Sequence, residues 1–294
     1  MVGGGVLWGV GSGRHTPPRT PPYTAASARS RPQPLPPTPA PPEPKAAAQP
    51  APPSPPGPDW SVPPRYRGKL LYLRPRGFDR KIIALTFDDG PDPSLTPSVL
   101  KTLAAHQAHA TFFVQGKQVK AHPEVLGQVL AAGHAIGNHS YSHPARPTAT
   151  QAAIQLQRTD NLVRKWAGRR PTCFRPPYGI TAGHLARLAC GRQDAVVLWT
   201  LNSRDAEGFD SVRVTQRVLA LAHPGGIVLM HDGSGHLGTA KALPKIMDGL
   251  AAKGYAFVTV PELLREWDRF VSAQVIREGR ARTAPAKPPH AAAP

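Results

Sequence analysis

Residues 82–91 read Ile-Ile-Ala-Leu-Thr-Phe-Asp-Asp-Gly-Pro, a short apolar run that ends in two carboxylates and a turn. The run does not alternate with polar residues, and this predicts a strand buried on both faces of a parallel sheet. Gly90 and Pro91 turn the chain directly after that strand. Active sites of α/β proteins lie at the carboxyl ends of their strands. Asp88 and Asp89 are therefore candidate active-site residues, although an Asp-Asp-Gly-Pro segment on its own is more often a solvated turn.

The two carboxylates are expected to have different roles, because successive strand residues point to opposite sides. One of them can hold a metal while the other accepts or donates a proton.

Strand-like and helix-like segments alternate from residue 81 onwards. The strand-like runs are 82–87, 110–114, 134–136, 173–175, 196–200, 226–230 and 255–260. The helical runs are 97–108, 123–132, 150–167, 181–189, 211–222, 241–253 and 261–271. This alternation predicts an α/β fold, a distorted (β/α) barrel of about seven parallel strands with the helices outside.

Composition divides the chain into four segments. Residues 1–59 are rich in Pro, Ala, Ser and Arg and are predicted to be a disordered extension: a tether through a cell envelope, an SH3-type ligand or, more commonly, a passive tail. Residues 60–79 are transitional, with a short strand predicted at 70–73. The catalytic domain is predicted at 80–270. A short disordered basic tail is predicted at 271–294.

The chain of 294 residues has 36 Lys and Arg against 18 Asp and Glu, a formal charge of +18 and a pI of about 10.7. Such a charge suggests an anionic partner, for which a cell-wall polymer, a membrane surface and nucleic acid are the candidates. No nucleic-acid recognition motif is present, so no specific nucleic-acid partner is expected. Cys173 and Cys190 form no disulfide framework or zinc ribbon, and two buried free thiols are the expected state.

Location is less well defined by the sequence. No apolar run has the length of a membrane span. Residues 1–13 lack the basic start, apolar core and cleavage site of a secretion signal. The cell envelope or the exterior is the expected location, with the cytoplasm left open.

Two histidines four residues apart follow the third predicted strand. They are His139 and His143, in the run Gly-Asn-His-Ser-Tyr-Ser-His at 137–143. A lone pair of this kind is weak evidence, since the chain has 12 histidines. Together with Asp89 they would supply two imidazoles and one carboxylate to a divalent metal. Positions left open for water and substrate are typical of a hydrolytic site.

Two further strand ends carry candidate residues. Arg175 begins the run Arg-Pro-Pro-Tyr-Gly, in which two prolines fix the backbone and Arg175 can keep a nearby carboxylate ionised. His231 follows the sixth predicted strand, where an imidazole can protonate a leaving group. Each feature alone is more often structural. Their convergence on one rim favours catalysis.

These motifs resemble those of the polysaccharide deacetylase family, the NodB-homology domain of carbohydrate esterase family four. The matching segments occur in the family order and lie within about residues 80–265: Thr-Phe-Asp-Asp-Gly at 86–90, His-Ser-Tyr-Ser-His at 139–143, Arg-Pro-Pro-Tyr-Gly at 175–179, and Leu-Met-His at 229–231, with 110–114 and 133–139 as typical flanks. The resemblance implies a distorted (β/α) barrel and metal-dependent removal of N-acetyl groups from amino sugars.

The resemblance also implies a role for each matching residue. Asp89, His139 and His143 would hold one divalent metal, usually zinc in relatives, with cobalt, nickel or manganese as alternatives. Asp88 would be the general base, oriented by Arg175, and His231 the general acid. The main-chain N–H of Tyr178 would bind the oxyanion. Leu229 would contact the acetyl methyl, and Pro176, Trp199 and Asp205 are expected along the substrate groove.

One motif departs from the family pattern of Asp-x-x-Asp-Trp. Residues 199–206 read Trp-Thr-Leu-Asn-Ser-Arg-Asp-Ala. Asn202 replaces the carboxylate that tunes the acid histidine in relatives, and Ala206 replaces a tryptophan of the groove. We therefore expect a lower pKa for His231 and a groove without that sugar-stacking face.

The resemblance leaves the glycan open. Peptidoglycan N-acetylglucosamine is favoured, because a basic surface and a long tether suit an anionic wall. Chitooligosaccharide, poly-N-acetylglucosamine and a non-catalytic glycan-binding barrel are the alternatives. The protein is expected to act as a monomer.

Overall fold

A computed structural model describes residues 59–283 of the chain. In this part nine strands form one parallel sheet. They are β1 (Leu70–Leu71), β2 (Ile82–Asp88), β3 (Thr111–Val114), β4 (Ala135–Asn138), β5 (Cys173–Phe174), β6 (Ala195–Val197), β7 (Leu201–Asn202), β8 (Gly226–His231) and β9 (Ala256–Phe257). The predictions for residues 1–58 and 284–294 lie outside the described residues.

Eight α-helices connect these strands. They are α1 (Thr96–Ala105), α2 (Gly116–Ala121), α3 (Pro123–Ala131), α4 (Ala149–Ala167), α5 (His184–Gly191), α6 (Ser211–Leu221), α7 (Leu237–Ala252) and α8 (Val260–Thr283). Within residues 59–283, no helix combines the length and the apolar character that crossing a membrane requires.

The sheet is ordered β1-β6-β5-β4-β3-β2-β8-β7, with β9 paired to the beginning of β2. Strand β7 at one end of the sheet and β6, next to the other end, come from one stretch of chain, because residues 198–200 alone separate them. The first part of this stretch pairs with β5 and the last part with β8. The chain thereby curves the sheet into a distorted barrel, which confirms the predicted fold class. The predicted strand at 196–200 is instead two strands with an interruption between them.

Strand β2 pairs with three other strands, β3, β8 and β9. All seven of its residues are buried, as the unbroken apolar run predicts. Phe87 stacks on Phe112 of β3, with ring centroids 5.1 Å apart. The register pairs Asp88 of β2 with His231 of β8, and Asn138 of β4 with Phe174 of β5. The carboxyl ends of these strands therefore meet at one rim.

The domain extends beyond the predicted boundaries at both ends. Trp60 and Phe78 are buried, and β1 pairs with β6, so residues 60–79 form part of the folded domain. Helix α8 continues to Thr283, and the prediction of a disordered tail from residue 271 is wrong for this stretch. The ring of Phe270 packs edge-on against Phe78, with centroids 5.4 Å apart. Contacts with the segment before β2 thus help to anchor α8.

The two cysteines are free, as predicted. Cys173 is fully buried, and burial raises its pKa to about 12. Cys190 is only partly buried, because it lies near the end of α5.

Candidate active site

Most of the predicted site residues line one cavity at the rim of the barrel, whereas Arg175 and Asp205 lie behind its wall. Its volume is about 370 Å³. The lining includes Asp88, Asp89, His139, His143, Pro176, Tyr178, Trp199, Leu229 and His231. The carboxyl ends of β2, β4, β5 and β8 deliver most of these residues, so the order of strands in the sheet accounts for their meeting.

Asp89, His139 and His143 form a group that can hold a metal ion. The Nε2 atoms of the two histidines are 3.1 Å apart, and each is 3.5 Å from Oδ1 of Asp89. A tetrahedral zinc site with ligands about 2.0–2.1 Å from the ion has its ligand atoms about 3.3 Å from one another. The triangle of ligand atoms therefore has the size that one such ion requires.

Neighbouring groups orient these three side chains. Nδ1 of His139 is 2.7 Å from the carbonyl oxygen of Arg175, so an Nδ1–H donates to that carbonyl and leaves the Nε2 lone pair facing the triangle. The Gln115 amide donates to Oδ1 of Asp89 over 2.6 Å. Asp89 and His143 have φ angles of 76° and 59°, which are rare for residues with a side chain. Such strained residues cluster at functional sites.

The electrostatics of the triangle suit a metal. Burial alone would raise the pKa of Asp89, but the neighbouring His139 and His143 outweigh this effect, and the net shift of the pKa is downwards. Burial, together with His139, lowers the pKa of His143 to about 4. At neutral pH the site therefore presents an ionised carboxylate and a neutral His143 imidazole, the protonation states that ligation needs.

Asp88 is held by a fully buried arginine. Nη1 of Arg175 donates to Oδ1 of Asp88 over 2.7 Å and to Oγ1 of Thr86 over 2.8 Å. Nε and Nη2 of Arg175 donate to the carbonyl oxygens of Val197 and Leu198, each over 3.0 Å. Oδ2 of Asp88 lies 3.8 Å from Nε2 of His139. One carboxylate oxygen is thus anchored, while the other faces the triangle.

His231 is paired with Asp205 rather than with residue 202. Its Nδ1 lies 2.9 Å from Oδ1 of Asp205, and its main-chain N–H donates to Oδ2 over 2.7 Å. Burial alone would lower the pKa of His231, but the hydrogen bond and charge of Asp205 outweigh it and raise the pKa to about 9. The Asn202 side chain bonds instead to the main chain of Arg204 and to Glu207. The expectation of a lowered pKa for His231 is therefore wrong.

Asp205 was also expected along the substrate groove, and this prediction is wrong as well. Its carboxylate is completely inaccessible to solvent. Ser203 and Thr239 donate their hydroxyl groups to it, in addition to the contacts with His231. Asp205 therefore acts on the cavity only through His231.

The remaining predicted residues border the open side of the cavity. Tyr178 is 66% exposed, and its ring lies 4.4 Å from that of His143. Trp199 packs beside Gly179, whose φ of 67° and close approach to the indole leave no room for a side chain. Leu229 is buried at the wall and Pro176 lies at the rim. The cavity is polar around the triangle and apolar beside it.

Four residues of the site were not predicted from the sequence. Gln115 follows β3, and its position at a strand end was the available signal. His236 lines the cavity with its ring 4.8 Å from that of His231. Arg204 and Glu207 form an ion pair of 3.1 Å at the cavity edge, and no motif marks either.

A buried carboxyl group lies behind the turn that carries Asp89. Oδ2 of Asp232 accepts a hydrogen bond of 2.6 Å from Thr96. Complete burial, together with the charges of Asp88 and Asp89, raises the pKa of Asp232 to about 7. A side chain at Gly90 would collide with this carboxyl group. Asp232 directly follows His231, which was the available sequence signal.

Comparisons with known proteins identify the family of the chain. The family model for polysaccharide deacetylase matches residues 76–189. A peptidoglycan-N-acetylglucosamine deacetylase of Bacillus cereus is 35% identical over 201 residues, covering 67% of this chain and 73% of that protein. The peptidoglycan-N-acetylmuramic acid deacetylase PdaC of Bacillus subtilis is 38% identical over 187 residues, covering 63% of this chain. The chain spans only 39% of the length of PdaC.

A solved structure supports the same assignment. The crystal structure of the Bc1960 peptidoglycan N-acetylglucosamine deacetylase, in complex with a naphthalenyl-N-oxidanyl-benzamide, superimposes with a TM-score of 0.63 at 34% identity. The match covers 68% of this chain and 93% of that one. Sequence, fold and the arrangement of the rim residues lead to one conclusion: the chain belongs to the polysaccharide deacetylase family.

Proposed function

We propose that this protein is a metal-dependent hydrolase that removes N-acetyl groups from N-acetylglucosamine residues of peptidoglycan and releases acetate. The observation that carries the proposal is the triangle of Asp89, His139 and His143, with Asp88 beside it and His231 at the same rim. A glycan-binding protein without activity would need neither a proton acceptor nor a proton donor next to a metal site.

Zinc is the metal we propose, because it favours imidazole and carboxylate donors, and these three ligand atoms have the spacing of three corners of a tetrahedral site. Cobalt, nickel and manganese remain alternatives with the same donors. When bound, such an ion lowers the pKa of water and polarises a carbonyl oxygen.

The residues of the chain then divide the proton transfers between them. Asp88 accepts a proton from the attacking water at Oδ2, the oxygen that faces the triangle, while Arg175 holds Oδ1 by a charge-assisted hydrogen bond. Pro176 and Pro177 have no N–H, so the main-chain N–H of Tyr178 is the first donor after Arg175 in this turn. We assign this N–H to the oxygen of the acetyl group, where negative charge develops during attack.

His231 supplies the second proton. Asp205 binds its Nδ1 and raises its pKa to about 9, so the imidazolium is the main form at neutral pH. Nε2 can therefore protonate the nitrogen of the sugar as the C–N bond breaks, and the amine leaves in neutral form. Leu229 is the neighbour we assign to the acetyl methyl group. Trp199 and Pro176 are assigned to the sugar ring.

The choice of peptidoglycan is supported by the two bacterial relatives, both of which are named as peptidoglycan deacetylases. The net charge of +18 suits an anionic wall. By the same argument, we propose that the protein acts in the cell envelope or outside the cell.

Acetate release tests the proposal. The full chain, loaded with zinc, is incubated with soluble peptidoglycan fragments beside the variants Asp88→Asn and His139→Ala. Asp248→Asn is the matched control, because Asp248 is 73% exposed on the outside of the barrel. We expect acetate from the wild type and from the control, at least a hundredfold less from Asp88→Asn, and weaker zinc uptake by His139→Ala. A folded, zinc-loaded wild type that binds the fragments but releases no acetate would identify a binding protein instead.

A further inference from the structure

A second cavity adjoins the catalytic cavity. Its volume is about 430 Å³. Its lining includes Arg146, Thr148, Ile180, Gly183, His184 and Arg187, and we call it the flanking cavity. The loops that form it are continuations of the loops that carry His143 and Tyr178. Gly179 lines the catalytic cavity and the next residue, Ile180, lines the flanking cavity, so one loop borders both cavities.

The flanking cavity is positively charged. Arg146 and Arg187 are both exposed, and no Asp or Glu is among the residues that line the cavity. Among residues 59–283 no carboxylate forms an ion pair with either arginine, and Arg187 approaches only Nδ1 of His184, at 3.5 Å. Arg170 and Arg192 differ in this respect, since they are bound to Asp194 and Asp160.

The edge of the catalytic cavity that residues 202–207 form lacks this excess charge. Arg204 lies there, but Glu207 neutralises it over 3.1 Å. Lining residues therefore favour an anionic group at one edge of the catalytic cavity and not at the other. Peptidoglycan and chitin differ in this property. In peptidoglycan, N-acetylglucosamine alternates with a sugar that carries a lactyl carboxyl group, whereas chitin is neutral throughout.

We propose that the flanking cavity is a subsite for a carboxylate on the sugar next to the one that is deacetylated, bound by Arg146 and Arg187. This subsite would select an anionic, peptidoglycan-type glycan over a neutral chitin-type one. The inference rests on the proposed function for its substrate, but it concerns different residues. The carboxylate comes from the lactyl group where the peptide is absent, or from the attached peptide where it is present.

Three tetrasaccharides separate these sources. The first carries free lactyl carboxylates, the second carries the same groups as neutral carboxamides, and the third carries them linked to a dipeptide that ends in a carboxylate. The tetramer of N-acetylglucosamine is the neutral reference. Acetate release by the full chain gives kcat/KM for each compound, and the measured quantity is the ratio of each value to that of the reference.

We expect the ratio for the free lactyl compound to fall about five- to tenfold in the double variant Arg146→Gln/Arg187→Gln, because exposed charge-assisted contacts are individually modest. The ratio for the carboxamide should not change. Substitution of both residues by lysine should restore part of the loss. High salt should reduce the wild-type ratio, since exposed charges are screened. Arg213→Gln, an arginine of α6 outside both cavities, is the matched control.

The outcomes are distinguishable. A drop confined to the free lactyl compound assigns the subsite to the lactyl group, and a drop confined to the dipeptide compound assigns it to the peptide. Equal ratios in wild type and double variant would overturn the subsite while the proposed function stands. If no compound releases acetate, the proposed function fails. Equilibrium binding of the free lactyl compound and its carboxamide to wild type and double variant then tests the subsite directly, and equal affinities would refute it.

Discussion

Replacing Asp205 by Asn tests the assignment of His231 as the general acid most directly. The substitution keeps the shape of residue 205 but removes its charge. Oδ1 of Asp205 accepts a hydrogen bond of 2.9 Å from Nδ1–H of His231, and Asp205 has the largest effect among the groups that raise the pKa of His231. With this influence gone, burial dominates and the pKa of His231 falls from about 9 to its ordinary value of 6.5 or lower.

The size of the expected loss of activity follows from the protonated fraction of His231. An acid with a pKa of 9 is almost fully protonated at pH 7, whereas one with a pKa of 6.5 is about one quarter protonated. The ratio of wild-type to variant activity is then about 4 at pH 7, about 30 at pH 8 and about 160 at pH 9. A bound divalent cation lowers the pKa of His231 in both proteins. This moves the curves to lower pH but keeps the growth of the ratio with pH.

The assay is kcat/KM for acetate release between pH 6 and pH 10 with zinc-loaded protein. Asn202→Asp is the matched control, because Asn202 bonds to Arg204 and Glu207 and not to His231. The control should move the basic limb of the profile much less than Asp205→Asn does. If the wild-type to Asp205→Asn ratio stays constant over this range, His231 does not act in its protonated form and the reasoning is wrong.

Three further predictions concern the structure around the site. In Arg175→Met the buried Asp88 loses its partner, so we expect a destabilisation of about 3–5 kcal/mol in denaturant unfolding, and a loss no larger than that of an exposed pair would contradict the burial. Gly90→Ala places a Cβ 2.4 Å from Oδ2 of Asp232. This overpacking should lower the free energy of unfolding by about 1–3 kcal/mol and weaken zinc binding in calorimetry. Gly127→Ala, where a Cβ meets no atom within 4 Å, is the control and should leave stability unchanged or raise it. In metal-free protein the raised pKa of His231 stabilises the fold, and this stabilisation is complete below about pH 6.5 and is lost as pH rises through about 9. The free energy of unfolding should therefore fall by about 3 kcal/mol over that interval in wild type and much less in Asp205→Asn. Parallel curves for the two proteins would show that the pair of His231 and Asp205 does not form.

The sequence predicts those parts of the site that follow directly from strand ends. Asp88 and His231 come to one rim because β2 and β8 are adjacent and in register, and an unbroken apolar run is enough to identify each strand. The ligand triangle adds only His139 and His143, which lie on a single loop after β4. Local pattern and spacing therefore carry most of this information.

The pairing of His231 with Asp205 could not be obtained in this way. Asn202 and Asp205 are three residues apart, and which of them reaches His231 depends on the turn between them. Arg204 adopts a φ of 64° there, and this turn brings Asp205 under the end of β8. Nothing in the local residue types requires a left-handed conformation at an arginine. The contact is set by tertiary structure.

The same reason explains the interrupted strand and the long last helix. Arg175 binds the carbonyl oxygens of Val197 and Leu198, at the start of the interruption between β6 and β7, and Arg175 is more than 20 residues away in sequence. Helix α8 continues past residue 271 from a turn that is anchored by Phe270 packed on Phe78 and by Asp268 paired with Arg65 at 2.7 Å. Both features depend on partners that are remote in sequence.

The hydrogen bonds of Arg175 also couple the activity of the site to the local stability of the sheet. One guanidinium connects the proposed proton acceptor, Asp88, to the joint between β6 and β7. Any loosening of that joint displaces the carboxylate. Thermal inactivation of the protein should accordingly precede the melting of its helices, so the joint sets the temperature range of activity while the bulk of the fold sets the temperature of denaturation.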